Sequence, residues 1–258
     1  MNYLISGTRG EGKSTLSLWL AQKFASTVII IDPRGTFDGT GITVYNLDEL
    51  WDELRTKKYM ETDPPSPIIF RPDGKFELTP IMSMLFPAYF AGFKGKIAII
   101  VDEARQFQSP HWIDDALDRV VRQAPIERVL VIQNTHQLQD WNPATKSVMD
   151  DIFIFRQIGK QAIKSTAEQT NDEVAELARN LPEHHLIHYW FNRRSAAQLE
   201  SEDKKRGELN LTTNYSVWDD PDRWYVPLPN VNGEPSNSQA LHDVYEGENR
   251  LERETENE

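Results

Sequence analysis

The chain contains no cysteine. Disulfides and cysteine–zinc sites are therefore excluded, and an intracellular protein is expected. Long apolar runs are missing too. The most apolar region, residues 79–101, is interrupted by Pro80, Pro87, Lys94 and Lys96, so no transmembrane helix is expected. The opening "MNYLIS" lacks the charged start and apolar stretch of a signal peptide. Positive charge is scarce: 28 Lys and Arg against 40 Asp and Glu leave a net charge of −12. That excludes a basic coat for nucleic acid, while leaving room for a few basic loops.

What is present is an alternation of strand-like and helix-like segments over 258 residues. The runs 2–6, 27–32, 67–72, 96–104, 128–134, 151–158 and 184–191 are apolar and rich in β-branched residues, the mark of strands buried on both faces. Between them, 15–25, 47–58, 112–123 and 171–181 carry apolar residues at helical spacing. In the third of these, Trp112, Ile113, Ala116, Leu117, Val120 and Val121 fall on one helical face. The pattern predicts an α/β fold, with a mostly parallel central sheet flanked by helices and a polar C-terminal extension. It divides the chain into a core (1–191), an extension (192–238) rich in aromatics and prolines that either wraps the core or docks on a neighbour, and a tail (239–258). The tail holds seven acids against two arginines, and such a charge run is expected to be disordered.

The stretch "GTRGEGKST" follows the first strand and opens the first helix. It matches G-x-x-x-x-G-K-[ST] in full, in the strand–loop–helix context that gives the pattern its meaning. Gly7, Thr8, Arg9, Gly10, Glu11, Gly12, Lys13, Ser14 and Thr15 thus form a nucleotide-binding candidate. The glycines let successive backbone N–H groups turn toward one anion, and the helix adds its positive end. Lys13 would reach the β- and γ-phosphates, and the Ser14 hydroxyl would ligate Mg2+.

The run "IAIIVDEARQF" ends a strand in Asp102 and Glu103. Asp102 suits the magnesium shell, through water; Glu103 can orient and deprotonate an attacking water. "VLVIQN" places Gln133 at the end of another buried strand, where an amide could sense the γ-phosphate or hold that water. No Asn-Lys-x-Asp stretch for reading guanine is present, so the nucleotide is expected to be ATP.

Together these residues resemble the FtsK–HerA superfamily of DNA-pumping ATPases: a P-loop, a strand ending Asp102-Glu103-Ala104, a helix ending in arginine, and a strand ending in Gln133. The segment "IQNTHQLQDWNPATKSVMDDIFIFRQ" is similar to its viral branch, the genome-packaging ATPases of membrane-containing icosahedral viruses. The resemblance spans about residues 2–191. It implies a RecA-like P-loop NTPase fold and a ring, a hexamer, that threads double-stranded DNA without reading sequence. ATP would sit between subunits. The implied partners are the capsid vertex or viral membrane proteins, and the implied location is the host cytoplasm or the packaging vertex of the virion. A neighbour would complete each site with an arginine: Arg122 fits best, Arg119 is one turn earlier, and Arg156 is a third candidate. The turn "RQAPIER" before the sensor strand is longer than the family's basic-glycine turn, which leaves the arginine register open.

Basic loops that could touch DNA phosphates are "RTKK" (55–58), "FKGK" (93–96), Arg193-Arg194 and "KKR" (204–206). The run "HHLIH" (184–188) reads as a histidine cluster on a loop and strand rather than a metal chelate. Two other functions stay open. One is an assembly ATPase of the zonula-occludens-toxin-like type, disfavoured because those carry a transmembrane helix. The other is a P-loop kinase for a small molecule, disfavoured by the Asp-Glu pair.

Overall fold

Strand-forming and helix-forming segments build a layered α/β structure whose one large sheet carries the candidate site residues at the C-terminal ends of its parallel strands. The computed structural model describes residues 1–56, 66–71, 81, 95–124, 128–191, 207–210 and 215–218. The strands are β1 (Asn2–Ser6), β2 (Thr27–Ile31), β3 (Ile42–Val44), β4 (Ile68–Phe70), β5 (Ile97–Val101), β6 (Gln108–Ser109), β7 (Trp112–Ile113), β8 (Val129–Thr135), β9 (Asp151–Phe155), β10 (Leu186–Trp190), β11 (Gly207–Asn210) and β12 (Tyr215–Trp218). All but β6 and β7 form one sheet in the order β11-β12-β10-β9-β1-β8-β5-β2-β4-β3. From β9 to β3 every pairing is parallel; β10, β12 and β11 add antiparallel strands at one side.

The helices are α1 (Lys13–Phe24), α2 (Leu47–Thr56), α3 (Asp115–Gln123), α4 (Pro143–Lys146), α5 (Lys160–Gln169) and α6 (Asp172–Asn180). Alternation along the strands sends neighbouring residues to opposite faces. Ile5, Ile30, Ile100 and Ile132 pack under Leu16 and Trp19 of α1. Ile29, Ile99 and Val131 pack on the other face against Leu117 and Val121 of α3 and Leu50 of α2. A third group joins Leu4, Ile154 and Ile187 to Trp141 and to Val174 and Ala178 of α6. Each fully buried Ile or Leu contributes about 1.5–3 kcal/mol.

The segment 112–123 departs from the expected single helix. Its first two residues, β7, pair antiparallel with β6 as a small hairpin. The helix starts only at Asp115, because Asp114 Oδ1 accepts from the backbone N–H groups of Ala116 (2.9 Å) and Leu117 (3.2 Å). A capping aspartate ends the extended backbone before it and fixes the first turn after it. Trp112 is therefore not on the buried helical face; it is 52 % exposed.

The sheet also continues past residue 191. In the stretch read as an extension, β12 pairs with β10, with Leu186 opposite Trp218, and β11 pairs with β12. The rest of that extension, the acidic tail, Arg193-Arg194 and "KKR" lie outside the described residues. Among the described residues, no helix is long and apolar enough to cross a membrane.

Candidate functional site

Parallel strands bring their C-terminal ends to one edge, and loops at such an edge form the ligand crevice of open α/β sheets. The phosphate loop follows β1, the Asp102-Glu103 pair follows β5, and β8 lies hydrogen-bonded between them. Asp32 leaves β2 at the same edge, and Arg156 follows β9.

The loop from Gly7 to Gly12 turns sharply before α1. Gly12 has φ 98°, a left-handed conformation at the helix N-cap that glycine adopts without strain. Gly7 is required for a different reason: a Cβ there would lie 2.5 Å from Phe155 Cβ on β9. Gly7→Ala is expected to force the β1 and β9 ends apart and to cost about 1–3 kcal/mol, read as a lowered Tm by circular dichroism. An unchanged Tm would show that the two strands yield at no cost.

Lys13 Nζ donates to Gly7 O (2.9 Å) and Thr8 O (2.8 Å), spanning the mouth of the loop. Burial pulls its pKa below the ordinary lysine value, against the opposing pull of Asp102, Glu103 and Glu11. Glu11 is buried and ties the loop down. Its Oε1 accepts from Arg156 Nη2 (2.6 Å) and Nε (3.0 Å) and from Thr8 Oγ1 (3.2 Å), and its Oε2 from the backbone N–H of His184 (3.2 Å). Arg156 thus has its partner within its own chain, on the phosphate loop.

Asp102 is buried, and desolvation raises its pKa, opposed by hydrogen bonds from Asn134 and Thr36. Asn134 Nδ2 donates to Asp102 Oδ1 at 3.1 Å, while Ser17 Oγ on α1 lies 2.7 Å from Asn134 Oδ1. The sequence pattern did not single out this bridge from the loop helix to the acid strand. Its signal was available: Asn134 follows Ile132 by two and so shares the α1 face. Gln133 takes the opposite face, with Val131. It is fully buried, and its Oε1 accepts from Gln108 Nε2. Gln133 Nε2 has no hydrogen-bond partner among the described residues.

Glu103 has φ 50° and ψ 49°, left-handed backbone at the start of a short 3-10 turn, Ala104–Gln106. For a residue with a Cβ this costs about 1–2 kcal/mol. Its side chain is surrounded by basic groups. Arg34 Nη1 lies 2.9 Å from Oε1, His136 Nε2 3.1 Å from Oε1, and Arg105 Nε 3.6 Å from Oε2. None of these three is marked as a site residue by the sequence pattern. Arg34 is presented by a loop that Asp32 organises. This fully buried carboxylate accepts from the backbone N–H groups of Thr36 and Phe37, both at 2.9 Å, and pairs with Arg71 Nη2 at 2.9 Å.

Arg122 lies exposed in the last turn of α3 and pairs with Asp118 Oδ1 at 2.6 Å. Arg119 Nε donates to Gln123 Oε1 at 3.3 Å. Of the basic loops, Arg55 pairs with Asp52 at 2.8 Å and Lys96 sits 4.9 Å over the Phe24 ring; residues 57–58 and 93–94 lie outside the described residues. His184 and His185 precede β10, while His188 is buried with its Nε2 3.1 Å from Asp151 Oδ1 and its ring stacked on Phe153. Among the described residues, no group of three or more His, Asp or Glu could hold a metal ion by itself. A magnesium site here would draw on one hydroxyl and one carboxylate, with phosphate and water supplying the rest. The donors fit: Ser14 lies in the first turn of α1, and Asp102 is a buried carboxylate whose charge a divalent cation would offset.

No protein-family model matches the chain, and no curated protein matches it in sequence. Solved structures do match in fold. The genome packaging NTPase B204 from Sulfolobus turreted icosahedral virus 2, in complex with AMPPCP, superposes with a TM-score of 0.59 at 16% identity, over 85% of this chain and 96% of that one. B204, the DNA-packaging ATPase from Sulfolobus turreted icosahedral virus, gives 0.58 at 15% identity, over 84% and 96%. VirB4 of Thermoanaerobacter pseudethanolicus gives 0.53 at 11% identity, over 73% and 86%. The chain has the fold of these proteins, a P-loop α/β fold with a mostly parallel sheet.

Proposed function

We propose that the protein is an ATPase that drives double-stranded DNA into a preformed viral capsid. One observation carries the reading. A complete phosphate loop and an Asp-Glu pair stand at the same sheet edge, separated by a strand whose end supplies Gln133 and Asn134, on the fold of a DNA-packaging ATPase. ATP as the ligand is supported by B204, which was solved with ATP-gammaS and with AMPPCP.

The backbone N–H groups of residues 7–14 and the N-terminus of α1 receive the phosphates, and Lys13 leaves its two carbonyl partners for the β- and γ-phosphate oxygens. Ser14 and, through water, Asp102 would hold Mg2+, which when bound neutralises charge on the transferring phosphoryl group. Glu103 takes the proton of the attacking water. Gln133, with a free amide N–H, orients that water or contacts the γ-phosphate. In a ring, an arginine of one subunit would neutralise charge on its neighbour's γ-phosphate. Arg122 is the first choice for that role, since it is exposed at a helix end and, among the described residues, held by a surface pair with Asp118. Arg119 is the second. Arg156 is engaged with Glu11 of its own chain. The ring is taken as a hexamer that docks at a capsid vertex or on viral membrane proteins.

The reading is tested by ATP hydrolysis with and without long double-stranded DNA at two salt concentrations. Stimulation by DNA is expected. For about six phosphate contacts, the DNA concentration for half-stimulation should rise on the order of a thousandfold between about 50 and 200 mM salt. Hydrolysis indifferent to DNA at both salts would remove the DNA motor and leave the ATPase.

A further inference from the structure

The surroundings of Glu103 gain a meaning once it serves as general base, so the role inferred for its neighbours rests on the ATPase function proposed above. The two oxygens of its carboxylate are not equivalent. Arg34 Nη1 donates a hydrogen bond to Oε1 at 2.9 Å, and His136 Nε2 lies 3.1 Å from the same oxygen. Oε2 is buried and has no hydrogen-bond partner among the described residues; Arg105 Nε stands 3.6 Å away. The two side chains come from separate elements. Arg34 sits in the loop after β2, whose turn is fixed by the buried Asp32, and His136 follows the last residue of β8. A guanidinium is always charged. Oε1 is therefore held by a charge-assisted bond from Arg34, while the left-handed backbone at Glu103 sets where the side chain departs.

We infer that Arg34, with His136 beside it, is a positioning residue: it anchors Oε1 of Glu103 so that Oε2 is the oxygen that receives the proton of the attacking water. In that step one O–H bond of water breaks and its proton goes to Oε2. The water oxygen bonds to the γ-phosphorus, and the bond from that phosphorus to the β–γ bridging oxygen breaks, releasing ADP. A carboxylate free to rotate would offer its proton-accepting lone pair in the right direction only part of the time. The anchored one offers it continuously, which is what efficient proton transfer requires. The same arrangement separates two jobs that a bare strand-end acid cannot divide, since a charge-assisted hydrogen bond stabilises one oxygen while the other accepts no hydrogen bond among the described residues.

The Arg34 side chain is 47 % exposed, so shortening it opens no hole in the core. Arg34→Ala is expected to lower kcat for ATP hydrolysis about tenfold or more, as part of the roughly hundredfold or greater contribution of a positioned base. KM for ATP and nucleotide affinity should stay within about twofold. Arg34→Lys, which keeps a cation but not the fork, should recover part of the loss, and His136→Gln, which leaves the Arg34 hydrogen bond in place, should lose less than Arg34→Ala. In a Glu103→Gln background, Arg34→Ala should change the residual rate no further. A wild-type protein that does not hydrolyse ATP overturns the ATPase function and this inference with it. A wild type that hydrolyses, with Arg34→Ala equally fast or faster, overturns the positioning role alone; a faster variant would make Arg34 a restraint on the glutamate. A loss that appears in KM or Tm, or that persists undiminished in the Glu103→Gln background, also overturns it, because a structural contact would produce that pattern.

Discussion

Lys13→Ala is expected to abolish measurable binding of ATP, with Kd weakened at least about a hundredfold and hydrolysis lost with it. The ammonium donates two bonds to the carbonyls of Gly7 and Thr8 at 2.9 and 2.8 Å, so it already lies across the loop that would receive the phosphates. In exchanging those carbonyls for phosphate oxygens it replaces neutral acceptors with charged ones. Each charge-assisted bond contributes about 1.5–3 kcal/mol, and two of them correspond to about a hundredfold or more in Kd. Burial, which pulls the Lys13 pKa below the ordinary lysine value, makes added negative charge from phosphate favourable to the ammonium form. The fold should survive, since α1 is held by Leu16, Leu18 and Trp19 in the core rather than by Lys13. A fluorescent-nucleotide titration beside a circular-dichroism melt checks both halves. An alanine variant that still binds ATP within a few-fold of wild type would move the phosphate site away from residues 7–15.

The legible part of this site is the part that is contiguous in sequence. The unbroken stretch 7–14 defines the phosphate loop, and a β-branched run names the strand that ends in Asp102 and Glu103. Strands buried on both faces announce themselves by unbroken apolar runs, so the parallel sheet was readable from "TVIII" and "IAIIV". Other elements carried no such signal. Three-residue β3 is too short to show a period. The buried face of α5 is Ala162, Ser165 and Thr166, small and polar residues whose burial leaves almost no hydropathy trace. Trp112 and Ile113 fit a helical period by coincidence, and only the capping bonds of Asp114 decide against it.

The site residues that escaped are those whose role depends on which element folds beside which. Arg34 sits in "DPRG", readable only as a strand-breaking turn until β2 is seen pairing with β5, which brings it against Glu103. Asn134 becomes the link between α1 and Asp102 only because β8 is inserted between β1 and β5. Arg156 did not escape, since the resemblance makes it a third candidate for a neighbour's site, but its partner did: the parallel pairing of β9 with β1 sets it beside Glu11 of its own chain. In each case a local pattern predicted that a polar residue stands at the edge, and the strand order decided what it meets.

Glu103→Gln is expected to keep nucleotide binding and lose hydrolysis, with a fall in rate of about a hundred- to ten-thousandfold. The amide has the carboxylate's shape, and its carbonyl oxygen can still accept from Arg34, so the turn at Ala104–Gln106 should hold. What disappears is the second oxygen with an open lone pair and the negative charge that makes it a base. Affinity for ATP should be equal or tighter, because one anion is removed from the vicinity of the γ-phosphate. The two neighbouring acids are thereby told apart. Asp102, bound to Asn134 and facing Ser17 through it, would belong to the binding half of the site, whereas Glu103, bound by Arg34 with His136 nearby, would belong to the chemical half. Single-turnover hydrolysis of prebound ATP isolates the chemical step from binding and release. A glutamine variant that turns over prebound ATP at the wild-type rate would take Glu103 out of the proton transfer and leave the basic side chains around it to be explained as structure. A variant that binds ATP and holds it uncleaved would place the base at the end of β5, where the fold has gathered the charges to orient it.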